Sequence, residues 1–349
     1  MPAYPTSWYL WDVLISIDDF LNLRTSLPAI DVRSENEFLE GHIPGAVNIP
    51  ILNNEERIQV GTDYKQRGQM EAIKTGFKLV GPRIADIVDT AEKAAGGRDL
   101  LVHCWRGGMR SSNFCLFVGM AKIKTHQLIG GYKFYRQKVN GFFSLPFKFN
   151  VIGGYTGSGK SEALRALRDA GEQVIDLEAL ANHKGSVFGG LMMPAQPTTE
   201  QFQNDLFEEI RKLDVNRPVW IEDESITIGR VVLPDPLWKS MCVGRIIQLD
   251  VSKEDRINRL VNDYGPADRE QFLQAMGGIV KKLGGQHYQA AREKLLAGDM
   301  ASTIDILLTY YDKAYSTGLS KKQERVTDVI PWKGENVKEV VEALKHIHA

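Results

Sequence analysis

Short apolar runs alternate with helix-spaced ones along the first part of the chain. Residues 27–32 (LPAIDV) and 98–104 (RDLLVHC) are compact, β-rich and followed by turn signals, so each predicts a buried strand. Residues 111–120 predict a helix, and 121–129 a further strand closed by Gly130-Gly131. Strands alternating with helices predict an α/β domain with a parallel sheet. The pattern ends near Val139, and the turn-rich stretch 140–146 (NGFFSLP) predicts a boundary, giving domains 1–143 and 144–349.

The pattern then restarts. Residues 148–152 (KFNVI) predict a strand, Gly153-Gly154 a turn, and 160–170 a helix with Gly171 as its C-cap. Further strands are expected at 173–177, 218–221 (PVWI) and 245–249 (RIIQL). Phe202, Leu206, Ile210 and Leu213 recur at helical spacing behind Thr198 and Gln201, which fit a capping box. The last hundred or so residues are mostly helical by pattern, and contain Gly284-Gly285 and Tyr310-Tyr311. The second domain is therefore expected to be α/β with a helical C-terminal part.

Bulk numbers narrow this picture. A chain of 349 residues is long for one core. At 43% hydrophobic and 25% charged it is too apolar and too balanced for disorder. No apolar run approaches the ~20 residues of a membrane helix. The opening MPAYPTSWYLWDV lacks the basic start and apolar core of a signal peptide. Three cysteines, Cys104, Cys115 and Cys242, do not make a disulfide framework. A cytoplasmic protein with no membrane partner is expected. Cys115 and Cys242 lie in apolar surroundings and are expected to be inert core.

Net charge is −1, but its distribution is uneven. Residues 100–161 contain no Asp or Glu and nine basic residues: Arg106, Arg110, Lys122, Lys124, Lys133, Arg136, Lys138, Lys148 and Lys160. Such a stretch attracts phosphates or a nucleic-acid backbone, unless acids from elsewhere in the fold neutralise it.

Two loops inside that window carry chemistry. In Cys104-Trp105-Arg106-Gly107-Gly108-Met109-Arg110-Ser111 a cysteine follows a strand and precedes a helix. Backbone N–H groups, the helix N-terminus, Arg106 and Arg110 favour a thiolate and a bound tetrahedral anion. Gly107 and Gly108 let the backbone curl around it. Cys-x5-Arg alone serves phosphatases as well as sulfur carriers. The second loop, Gly154-Tyr155-Thr156-Gly157-Ser158-Gly159-Lys160-Ser161, fits G-x4-G-K-[ST] between a strand and a helix. Its N–H groups and Lys160 suit a di- or triphosphate, and the Ser161 hydroxyl suits Mg²⁺. Glu222 and Asp223, with Glu224, follow the strand PVWI, where a metal-organising acid belongs. Arg256 and Arg259 share one helix face and are candidates for phosphate contact or for a solvated surface.

Asp31-Val32-Arg33-Ser34, Glu37-Phe38 and residues 41–50 (GHIPGAVNIP), taken with Cys104, resemble the rhodanese signature over about residues 1–140. That family implies a loop cysteine carrying a persulfide or related chalcogen, with Asp31, Arg33 and His42 structural. The order of the domains, with CWRGGMRS and GYTGSGKS, resembles the tRNA 2-selenouridine synthases over nearly the whole chain. Residues 183–189 (HKGSVFG), Glu222-Asp223-Glu224-Ser225, Ile228-Gly229, Lys282-Leu283-Gly284-Gly285 and Tyr310-Tyr311-Asp312 match in style. The resemblance implies a substrate tRNA for Lys, Glu or Gln with 2-thiouridine at the wobble position. It also implies selenophosphate and geranyl diphosphate as co-substrates, an S-geranyl intermediate, and a selenophosphate-producing enzyme as candidate partner. On that basis selenophosphate suits the Cys104 loop, the diphosphate suits the P-loop, and the basic window guides tRNA. An ATP-dependent sulfurtransferase with a kinase-like P-loop domain is the rival, followed by a P-loop domain that only binds tRNA.

Overall fold

The computed structural model describes residues 12–347. The opening segment through Trp11, where no leader was expected, lies outside the described residues. The chain divides into two compact units, with the break between Phe142 and Phe143.

The first unit is built on a parallel sheet of β1 (Asp12–Ile15), β2 (Ala29–Asp31), β3 (Val47–Asn48), β4 (Leu100–His103) and β5 (Thr125–Leu128), ordered β1-β5-β4-β2-β3. Every residue of β2 and β4 is buried, and each strand is apolar up to its last residue, Asp31 or His103. Ile30, Val102, Phe114 and Val118 share the core. The strand expected at 121–129 begins only at Thr125, because the chain turns at Lys122 with φ +65°. Gly131 opens an unanticipated helix, Gly131–Phe142. Strand β1 is a further element that the pattern does not mark: it is a four-residue edge strand with Val13 and Leu14 exposed and Ile15 buried, too short for an alternation to show.

At the end of β2 sits a buried ion pair. Arg33 donates from Nε and Nη2 to Asp31 and from Nη2 to the Gly41 carbonyl, and stacks 3.9 Å from the centre of the Tyr132 ring. Burial would raise the Asp31 pKa, but His103 and Arg33 outweigh it and hold it below the usual range. These contacts fit the structural role expected of Asp31 and Arg33.

His103 is fully buried beside the pair, and burial pushes its pKa down to about 4. Below pH 6.5 the unfolded chain binds a proton that the folded chain refuses until about pH 4. Stability is therefore level above 6.5 and falls as the pH drops through that window. The expected loss between pH 7 and pH 5 is about 2 kcal/mol. Urea melts of the full chain should show this slope in the transition of the first unit, and His103→Gln should flatten it; an equal slope in the variant would remove His103 as its source.

The second unit has a parallel sheet of β6 (Phe149–Gly153), β7 (Val174–Ile175), β8 (Val219–Glu222), β11 (Arg245–Asp250) and β12 (Val326–Pro331), ordered β12-β11-β6-β8-β7. A short antiparallel pair, β9 (Thr227–Ile228) and β10 (Val231–Val232), lies outside it. The four strands expected are present, while β12 emerges from a stretch read as helical. Helix Lys160–Asp169 ends at Ala170, with Gly171 one position beyond at φ +85°. Thr198 caps the helix Thr199–Ile210 by accepting from the Gln201 N–H, while the Gln201 amide donates to Asp205. Ile152, Leu164, Trp220, Ile247 and Leu344 form the core on the side of the Lys160 helix. Among the described residues no helix is long and apolar enough to cross a membrane.

Candidate functional site

The cysteine loop leaves the buried end of β4 and enters the helix Met109–Met120, with Gly108 as N-cap. Cys104 is buried at 3% exposure; its Sγ accepts from the Ser111 hydroxyl at 3.2 Å. The Gln127 amide, reaching up from β5, donates to the Gly107 carbonyl at 2.8 Å and to Ser111 at 3.1 Å.

The loop's curvature is fixed from the other side by Gly130-Gly131. The N–H groups of Tyr132 and Lys133 donate to the carbonyls of Cys104 and Trp105. A Cβ on Gly131 would lie 2.3 Å from the Cys104 oxygen and 2.5 Å from the Gly107 nitrogen. At φ +58° that backbone also disfavours any other residue. By spacing alone the glycine pair only closes a strand; its positional role depends on contacts that spacing does not reveal. Gly131→Ala should cost about 1–3 kcal/mol by thermal unfolding and distort the loop. Wild-type stability in that variant would refute the close approach.

The two candidate arginines of this loop differ. Arg106 is exposed. Arg110 forks onto Glu37, with Nη2 donating to Oε1 at 3.1 Å. Burial would raise Glu37, but hydrogen bonds and charge from Arg110 prevail and hold it below the usual range. Lys124 pairs with Asp99 at 3.3 Å and Lys138 with Asp18 at 2.8 Å. Acids from other parts of the unit thus neutralise several charges of the acid-free window. His42 uses Nδ1 on the Phe38 carbonyl and stacks on the Phe38 ring, as a structural residue would.

The P-loop leaves the central strand β6 at its carboxyl end, where open α/β sheets bind ligands. Gly154, Gly157 and Gly159 have φ of +151°, +83° and +79°. A Cβ on Gly157 would meet Leu260 at 2.9 Å, and one on Gly159 would meet Trp332 at 2.5 Å. The loop is therefore packed from outside. Thr156 offers its carbonyl to Arg256, and Ser158 is buried at 1% exposure. Lys160 donates from Nζ to the Gly154 carbonyl at 3.1 Å, so its charge lies across the loop.

Arg256 and Arg259 do not form a solvated face. Arg256, 4% exposed, forks onto Asp312 at 2.8 and 2.9 Å and lies over Tyr155. Arg259 pairs with Glu162 and lies over Trp332. They brace the P-loop and its helix, and Asp312 gives the Tyr310-Tyr311-Asp312 segment a structural reason.

The acid nearest the P-loop hydroxyl is one that the sequence reading missed. Ser161 donates to Glu178 Oε2 at 2.6 Å, from the short helix Leu177–Ala181 that follows β7. Glu222, fully buried, accepts from the Glu178 N–H at 2.8 Å. Burial first, then the charges of Asp176 and Glu178, push the Glu222 pKa well above the usual range. Asp223 instead pairs with Lys322 at 2.7 Å. Burial and Glu178 push Glu224 up to about 7, against the pull of Lys160. Gly185, in the 183–189 turn, sits against both carboxylates: a Cβ there would lie 2.6 Å from Glu224 and 3.0 Å from Glu178. Among the described residues no group of three or more His, Cys, Asp or Glu is placed to hold a metal by itself.

A cysteine loop on a rhodanese-like sheet, followed by a complete P-loop on a second parallel sheet, defines a two-domain class of protein. Residues 16–138 match the rhodanese-like domain family, and residues 147–348 match the family described as the tRNA 2-selenouridine synthase AAA domain. A protein of Nitrosomonas europaea named tRNA 2-selenouridine synthase is 33% identical, covering 95% of this chain and 99% of its own length. One of the same name from Shewanella denitrificans is 34% identical over 88% of this chain and 91% of its own. The chain belongs to the tRNA 2-selenouridine synthase family.

Proposed function

We propose that the chain is a transferase that converts wobble 2-thiouridine of tRNA to 2-selenouridine in two steps. The first unites the thiouridine sulfur with the geranyl group of geranyl diphosphate at the P-loop. The second replaces the S-geranyl group with selenium from selenophosphate at the Cys104 loop. Alkylation turns a poor leaving group at C2 into a better one. The Cys104 thiolate takes the phosphoryl group from selenium, selenium attacks C2 as geranylthiolate leaves, and water then releases phosphate and restores the thiol.

The observation that carries this is the pairing, in one chain, of a cysteine-centred anion cradle with a P-loop whose Lys160 and Ser161 lie at the same helix start. In this reading Arg106, Gly107, Gly108 and Arg110 surround selenophosphate. Gly154, Thr156, Gly157, Ser158, Gly159, Lys160 and Ser161 hold the diphosphate, and Mg²⁺ would neutralise its charge beside Ser161 and Glu178. Glu222 holds Glu178 in place rather than meeting ligand. The tRNA would be one for Lys, Glu or Gln, the compartment the cytoplasm, and a selenophosphate-producing enzyme the upstream partner.

Donor choice tests the P-loop assignment. With tRNA bearing 2-thiouridine and geranyl diphosphate but no nucleotide, nucleoside mass spectrometry should show the gain of one geranyl group. A need for ATP, with its hydrolysis coupled to turnover, would instead favour the ATP-dependent sulfurtransferase.

A further inference from the structure

A cavity of about 330 Å³ lies in the second unit beside β6, the strand that leads into the P-loop. Val151 of β6, Trp238, Met241 and Cys242 of the helix Asp235–Val243, and Tyr315 and Leu319 of the helix Met300–Ser320 supply its apolar walls. Asp223, Glu224, Ser225, Lys322 and Arg325 supply polar lining. This is the size and composition of a small-molecule site: apolar walls with a few placed polar groups. Cys242, expected to be inert core, is half-buried and lines this space.

Three contacts connect the cavity to the phosphate loop. The Tyr315 ring lies 4.6 Å from the Tyr155 ring of the P-loop. The Tyr315 hydroxyl would lie 3.2 Å from a Cβ on Gly153, the last residue of β6. Glu224, in the lining, shares the Gly185 turn with Glu178, which holds the Ser161 hydroxyl.

Gly318 borders the same space. It lines the cavity from the last turn of its helix, and its φ is not positive, so the backbone does not call for glycine. A helical glycine is unfavourable relative to alanine. A Cβ at this position would meet nothing within 4 Å. The absent side chain is open volume in the cavity wall.

We propose that this cavity holds the apolar prenyl chain of the donor whose diphosphate sits on the P-loop, and that Gly318 sets the chain length it accepts. This rests on the prenyl-transfer step proposed above. In that step the thiouridine sulfur bonds to C1 of the donor as the C1–O bond breaks. The diphosphate leaves with the bonding pair, and the thiouridine N3 proton is released. The carboxylates of Glu178 and Glu224 favour the positive charge that grows on C1.

Gly318→Leu fills the cavity with little strain and tests the proposal. The full-length protein would be given tRNA bearing 2-thiouridine with geranyl or dimethylallyl diphosphate, and products read by nucleoside mass spectrometry. Inorganic pyrophosphate would serve as competitor. Geranyl transfer should fall at least tenfold relative to dimethylallyl transfer, with pyrophosphate inhibition unchanged. Cys242→Phe, from the opposite wall, should shift the preference the same way, and it decides the matter where Gly318→Leu fails to fold. An unchanged donor ratio, or weaker pyrophosphate inhibition without a change of ratio, would overturn the assignment of the cavity while wild-type prenyl transfer stands. A wild-type protein that transfers neither prenyl group would overturn the prenyl-transfer reading, and this inference with it.

Discussion

Cys104→Ser should abolish selenium transfer, by on the order of a thousandfold or more, and leave geranylation at its wild-type rate. The substitution is nearly isosteric at a residue only 3% exposed, so the loop keeps its shape. Contacts from Tyr132 and Gln127 hold the surrounding backbone independently of the sulfur. What is lost is a polarisable, ionisable nucleophile, which an alkoxyl group with a far higher pKa does not replace. The P-loop belongs to the other unit and is untouched. Nucleoside analysis should therefore show S-geranyl-2-thiouridine accumulating. If the variant still made 2-selenouridine at the wild-type rate, the role given to Cys104 would be wrong.

The complementary result comes from Lys160→Ala. Geranyl transfer should fall about a hundredfold in kcat/KM, the scale on which a single preorganised charge contact acts. Lys160 Nζ lies 3.1 Å from the Gly154 carbonyl, across the loop that would receive the phosphates, so its charge is already in place before ligand arrives. Selenium transfer onto tRNA supplied with S-geranyl-2-thiouridine should be unchanged, because that step does not use the diphosphate. An unaltered geranylation rate at low donor concentration would remove Lys160 from the diphosphate site. Loss of tRNA binding with both chemistries intact would make the P-loop domain a binding module.

Both reactive loops were legible in the sequence because each is a contiguous segment whose chemistry depends on its own backbone. Cys104 to Ser111 and Gly154 to Ser161 follow buried strands and open helices, as the pattern predicts. The residues that brace them were not legible. Gly131 touches the cysteine loop across 27 positions, and Glu178 reaches Ser161 from a five-residue helix behind a two-residue strand. Neither spacing has periodicity to betray it. Arg256 and Arg259 were visible as a pair, but their pairing with Asp312 and Glu162 depends on tertiary packing. Strand β12 was hidden because three of its alternate residues, Thr327, Val329 and Pro331, are exposed at the sheet edge. Its apolar signal is correspondingly thin.

The two-step scheme stands or falls on the order of products. The decisive measurement is nucleoside mass spectrometry of tRNA bearing 2-thiouridine, incubated with the full-length protein and geranyl diphosphate, then with selenophosphate. The expected record is a gain of one geranyl group in the first stage and its conversion to 2-selenouridine in the second. Selenouridine formed as fast without geranyl diphosphate, or no change of mass at either stage with fresh donors, would contradict the scheme.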